Sequence, residues 1–189
     1  KESGITSVRQ LADYAKAHPD KAFFGYYNSA SQMSGELFRL KSGAPLKGVS
    51  YKSIGNATSD LLGGHIQVIF MEYLPAVGQI PGGKLVPLGV TAAKRYGAWP
   101  DVPTIAETYP GYELDFHLGL VAPKGTPAPI LAKLHAWMDE DAHDPAFVAK
   151  LNELGMEPLP MSRQEYVRFS REKIDYWARQ VKAAGVPPQ

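Results

Sequence analysis

"FFGYYNSASQMSGELF", residues 23–38, runs from an apolar segment through a short polar one into a helical pattern. Phe23, Phe24 and Tyr26 are residue types that strands favour, whereas Met33, Leu37 and Leu40 fall on one face of a helix ending near Gly43. The unit is strand, loop, helix, and it recurs. "LKGVSY" (46–51) reads as a strand, "KSIGN" (52–56) as a loop and "ATSDLL" (57–62) as a helix closed by Gly63 and Gly64. "IQVIFM" (66–71) is another apolar strand that leads through "EYLP" into a helix, and "KLVPLGVT" (84–91) reads as a fourth strand. Parallel strands need crossovers, so this alternation predicts an α/β fold with a parallel-rich sheet and flanking helices.

On either side of this region the chain reads as helical. Ser7 and Gln10 form a capping box ahead of Val8, Leu11, Ala12 and Ala15, and Pro19 stops that helix. After "WPDVPTIAET" (99–108) one apolar strand, "DFHLGLVAP" (115–123), precedes three helices. The first is capped by Thr126 and the second opens at Asp144–Pro145. The third starts from a Ser162/Glu165 box and carries Tyr166, Phe169, Ile174, Trp177 and Val181 to Gly185.

Composition narrows the function classes. Hydrophobic residues make up 44% and the formal charge is +1, so neither disorder nor a strongly charged partner is indicated. The basic residues are scattered without the stripe that phosphate backbones need, which argues against nucleic acid. The absence of cysteine excludes disulfides, thiolate metal sites and cysteine nucleophiles. No apolar run reaches the roughly 20 residues that span a bilayer, and no signal peptide opens the chain, so an exported protein would be present here in a processed or trimmed form.

Ligands of parallel α/β sheets bind beyond the C-terminal ends of the strands. At the first such end, Ser29 with Gln32 fits a capping box, which would leave amides at residues 30–32 at the positive end of a helix dipole and suited to a carboxylate, sulfate or phosphate. The other loops add Lys52 and Ser53, then Glu72, then Thr91. Taken singly, these residues are also an ordinary cap, solvated charges and a half-buried tyrosine pair. Enzyme signatures are missing: there is no G-x-S-x-G, Walker loop, G-x-G-x-x-G or H-E-x-x-H, and the five histidines have no i,i+4 pair. No cofactor and no metal are expected. An α/β enzyme using His117 and Glu72 as an acid–base pair is the alternative from another class, to be recognised by their approach to hydrogen-bond reach. A sensory or interaction module is the third.

"VSYKSIGNATSDLLGGHIQVIF", "KLVPLGVTAAKRYGAWPDVPTIAET", "GLVAPKGTPAPILAKL" and "WARQVKAAGVPP" together resemble the extracytoplasmic receptors of tripartite tricarboxylate transporters, the Bug or TctC-like family. The resemblance implies a type II periplasmic-binding-protein-like fold, periplasmic location, no catalytic residue, and delivery of a small carboxylated solute to a membrane transporter. Residues 1–112 would form lobe two, and 113–189 the return strand and C-terminal helices of an incomplete lobe one. The N-terminal part of lobe one would be missing, and a homodimer or domain swap would cover its exposed apolar face. Family members carry a Gly/Ser-rich loop before H-L-x-G-E-L-F; here "GYYNSAS" has tyrosines in that place. The implied ligand-binding set is Tyr26, Tyr27, Asn28, Ser29, Ser31, Lys52, Ser53, Glu72, Thr91 and Phe116, with Phe116 at the hinge and mouth. The solute would be a dicarboxylate, tricarboxylate or amino acid, or an aromatic carboxylate stacked on the tyrosines.

Overall fold

The computed structural model describes residues 3–186; residues 1–2 and 187–189, which include the last two residues of the C-terminal motif, lie outside the described residues. The chain divides into two compact units, one holding residues up to Asp115 together with those from Gln180 onward, the other Phe116–Arg179.

The first unit is built on three parallel strands in the order β2-β1-β3, namely β1 (Phe23–Tyr26), β2 (Lys47–Ser50) and β3 (Val68–Ile69). Helix α1 (Val8–Ala17) precedes them and buries Val8, Leu11, Ala12 and Ala15, with Ser7 accepting the Gln10 N–H at 3.2 Å. Helix α2 (Ser29–Ser42) crosses from β1 to β2 and stops at Gly43, whose φ of 64° suits a residue without Cβ. Helix α3 (Ile54–Leu62) begins three residues earlier than its apolar pattern suggests, because Ser53 accepts the Asn56 N–H and sets the first turn.

Alternation along β1 puts the two crossover helices on opposite faces. Phe24 points toward α2, where its ring meets the Gly35 backbone so closely that a Cβ built there would lie 2.1 Å from it. Gly25 points the other way, against Ile66, Ile69 and the ring of Tyr51, whose hydroxyl donates to Asp60 of α3 at 2.8 Å. Burial, and then Asp60, push the Tyr51 phenol up to about 12. On the α2 side, Phe24, Leu37, Phe38 and Tyr112 are all fully buried, and the Tyr112 hydroxyl donates to the Ser34 carbonyl at 3.1 Å.

Beyond β3 the chain makes a short helix α4 (Tyr73–Val77) and then departs from expectation. "KLVPLGVT" is not a strand of the sheet: Val90 forms an isolated parallel bridge with Thr104 instead. A strand exists only where a neighbour supplies donors and acceptors in register, and here the 103–105 segment does so for a single residue. The "DVPTIAE" segment explains itself locally. Thr104 and Glu107 form a full capping box around a single 3-10 turn (Ile105–Glu107), and the Arg95 guanidinium grips the Glu107 carboxylate at 2.8 and 2.6 Å.

Hydrogen bonds from Arg95 first, and then from the Thr104 backbone, hold the Glu107 carboxyl down to about 2. The native state therefore binds fewer protons here than the unfolded chain, and this lock stabilises the fold above the ordinary carboxylate range and is lost as pH falls toward about 2. The difference in melting temperature between wild type and Glu107→Gln is expected to be present near about pH 6 and to vanish near about pH 2. A difference independent of pH would show that the carboxylate charge plays no part.

The second unit holds helices α5 (Ala128–His143) and α6 (Pro145–Glu153) and most of α7 (Arg163–Ala184). Asp144 caps α6 through the Phe147 N–H at 2.7 Å, and Ser162 with Glu165 forms the box before α7. Thr126 does not cap α5: its hydroxyl donates to the Pro123 carbonyl, and Pro127 stands at the cap. "DFHLGLVAP" is likewise not a strand, since it has no ladder partner among the described residues. Its start instead lies against α7, with Phe116 stacked on Trp177 at 5.8 Å and His117 edge-on to Phe169 at 4.6 Å.

Candidate functional site

Because the three strands are parallel, Tyr27–Asn28, Tyr51–Ser53 and Phe70–Glu72 leave the sheet at one edge. The crossover from β1 leads to one side, and the one from β2 returns past β1 to the other. The switch point of the strand order thus lies between the loops after β1 and β3, the usual ligand position in such a sheet.

The loop after β1 is tied from within. Asn28, in extended conformation, is the cap of α2 and accepts the Ser31 N–H at 2.8 Å; Ser31 Oγ in turn accepts the N–H groups of Tyr27 and Asn28 at 3.0 and 3.2 Å. This corrects the Ser29/Gln32 box by one residue. Both Asn28 and Ser29 are good caps, and the burial of Ser31 to 4% exposure decides between them, because a buried hydroxyl must find partners. Ser29 becomes the first helical residue and is exposed. Ser29 and Ala30 stand in the first turn of α2, at the positive end of the helix dipole. Asn28→Ala is expected to destabilise the fold by about 1 kcal/mol in urea titrations. An unchanged midpoint would mean that Ser31 alone closes the loop.

On the loop after β3, Glu72 precedes α4 and is exposed, and its carboxylate joins the two loops by accepting hydrogen bonds from the Tyr27 hydroxyl and from Asn28 Nδ2, the latter at 3.3 Å. Burial first, and then Glu72, raise the Tyr27 phenol well above its ordinary value, which keeps it a neutral donor. The two tyrosines diverge. Tyr26 shares the Phe24 face and lies over Gly48, while Tyr27 reaches the loop after β3.

The remaining predicted residues are placed as follows. Lys52 is exposed on the loop after β2, and Ser53 is engaged as the α3 cap. The backbone carbonyl of Thr91 accepts the Leu114 N–H at 2.9 Å, beside the Val90 bridge rather than on the sheet. Phe116 belongs to the second unit, as does His117. An aromatic group escaped the sequence reading: Tyr73, adjacent to Glu72, meets Tyr96 at 5.0 Å and Trp99 at 4.8 Å. Its only sequence signal is the i,i+3 spacing in "YGAW". Among the described residues no three His, Asp or Glu side chains gather as a metal site, and no helix is long and apolar enough to cross a membrane.

A family model, TctC, described as "Tripartite tricarboxylate transporter family receptor", matches residues 1–186. The chain belongs to this family. Among its relatives, Protein BugT of Bordetella pertussis (strain Tohama I) is 31% identical over 185 residues, which cover 96% of this chain and 56% of BugT. The structure entitled "R. palustris Rpa4515 with adipate" superposes with a TM-score of 0.87 at 33% identity, covering 100% of this chain and 64% of that one. "Structure of periplasmic binding protein BugD" gives a TM-score of 0.80 at 32% identity, covering 98% and 64%. The TctC-family chain thus has the α/β fold of periplasmic binding proteins and spans little more than half the length of the curated relatives it matches.

Proposed function

We propose that this chain is the solute-binding part of a periplasmic receptor, which holds a small organic acid at the β1/β3 switch point and passes it to a membrane transporter of the tripartite tricarboxylate type. The observation that carries this reading is the meeting of the α2 N-terminus with the polar loops after β1 and β3, in a chain of the TctC family that superposes on an adipate-bound protein. A helix N-terminus attracts a carboxylate through the positive end of its dipole. In this reading Asn28 and Ser31 hold the loop, while Ser29 and the first amides of α2 meet the carboxylate. Tyr27, Lys52, Ser53 and Glu72 line the polar rim, Thr91 flanks it, and Tyr26 supports it from the sheet face. Phe116 would sit at the mouth, with residues 1–112 as lobe two and 113–189 returning to lobe one.

Native mass spectrometry of the purified chain, followed by calorimetric titration with C3–C6 mono- and dicarboxylates and benzoate, tests the proposal. Saturable binding of at least one acid is expected, and the copy number reports a dimer or swap. Absence of heat with every acid in the series would remove the receptor reading for this chain.

A further inference from the structure

The Glu72 carboxylate turns both of its oxygens to the loop after β1. Oε2 accepts from the Tyr27 hydroxyl and Oε1 from Asn28 Nδ2, one neutral donor to each oxygen, beside the first turn of α2. The pair of donors suits a carboxylate, because it already holds one. Nothing on its own helix keeps the acid there: Glu72 stands at the cap position of α4 but makes no side-chain cap bond. Among the described residues no cation pairs with it, the Asn28 bond is long at 3.3 Å, and both Glu72 and Asn28 are exposed. A carboxylate released from such a place exchanges its two hydrogen bonds for bonds to water.

Resting on the receptor reading, we propose that Glu72 is an autoinhibitory carboxylate: it occupies the Tyr27 and Asn28 donors that receive the solute's own carboxylate, and the solute binds by displacing it. The two carboxylates cannot share the donors. The Tyr27 hydroxyl has a single proton to give, and two like charges so close together repel. Because Glu72 is tethered, it competes at a fixed effective concentration, and the apparent affinity for an acid falls in proportion to the fraction of chains whose donors are free. The contact therefore acts as a filter. An acid held by its carboxylate alone only exchanges one set of hydrogen bonds for another, whereas an acid with further contacts gains by the exchange.

Calorimetric titrations with succinate and butyrate test this directly. Glu72→Ala is expected to bind both acids at least about tenfold more tightly than the wild type, and Glu72→Gln, which keeps one acceptor without the charge, to fall between them. Tyr27→Phe supplies the readout that separates competition from simple charge removal. In the wild type the lost donor is lost to Glu72 and to the solute alike, so affinity stays within about threefold; in the Glu72→Ala background it serves the solute alone, and affinity falls at least about tenfold. Affinity that is unchanged or lower in Glu72→Ala and Glu72→Gln, or a Tyr27→Phe effect that is the same in both backgrounds, overturns the autoinhibition and leaves the receptor reading standing. No binding of either acid by the wild type and by every variant also overturns it; if the rest of the carboxylate series fails too, the receptor reading falls with it.

Discussion

Phe24→Ala is expected to lower stability by about 3–5 kcal/mol, measured by urea denaturation. The ring is fully buried in the middle strand of the sheet and lies between α2 and its neighbours on that face, with Phe70 edge-on at 6.4 Å and Tyr26 at 6.0 Å. Its removal costs the transfer free energy of the ring and also leaves a cavity that α2 cannot fill without moving. The helix is fastened at both ends, by the Asn28 cap and by the Gly43 turn. A loss below about 1 kcal/mol would show that α2 settles onto β1 despite its two fastenings.

Gly35→Ala is expected to destabilise by about 1–3 kcal/mol, even though alanine is the better helix former by about 1 kcal/mol. A Cβ at this position would lie 2.1, 2.3 and 2.6 Å from three carbons of the Phe24 ring, all far inside contact distance. Retreat is limited on the far side, where the end of the ring packs over Gly48 of β2 closely enough that a Cβ built there would lie 2.9 Å from it. The two substitutions are therefore coupled. Combined with Phe24→Ala, the new methyl group enters the space that the ring left, and the double variant is expected to be more stable than the sum of the single effects by about 0.5–3 kcal/mol. Strict additivity in that cycle would mean that the two residues do not touch. Since α2 begins at the switch point, calorimetry on Gly35→Ala also reports whether a shift of the helix weakens solute binding.

The sequence carried the helices and the parallel sheet legibly wherever local chemistry suffices. Ser7, Asp144 and Ser162 cap helices where their spacing says they should, and Gly43 ends α2 in the left-handed conformation. The cap of α2 was missed by one residue because Asn28 and Ser29 compete on equal terms locally, and only the burial of Ser31 breaks the tie. Strands fared differently. "KLVPLGVT" and "DFHLGLVAP" have strand-like composition, but a ladder depends on a partner elsewhere in the chain. Val90 finds one residue, and the second segment finds a helix. The Tyr27–Glu72 contact joins residues 45 apart in sequence, so no local pattern could announce it. The family motifs, by contrast, can be read as mechanics: "DVPT-x-x-E" is a capping box with an arginine clamp, and the glycine of "GELF" is the seat of a phenylalanine ring.

The division of the chain has a consequence for synthesis. The first unit takes its last residues, including buried Ala184, from beyond Arg179, after the whole second unit has been translated. Domains commonly fold as they leave the ribosome, the N-terminal one first. Here the earlier unit stays unfinished until the final turns of α7 emerge, so a stalled or truncated nascent chain exposes an open core long after its sheet has formed.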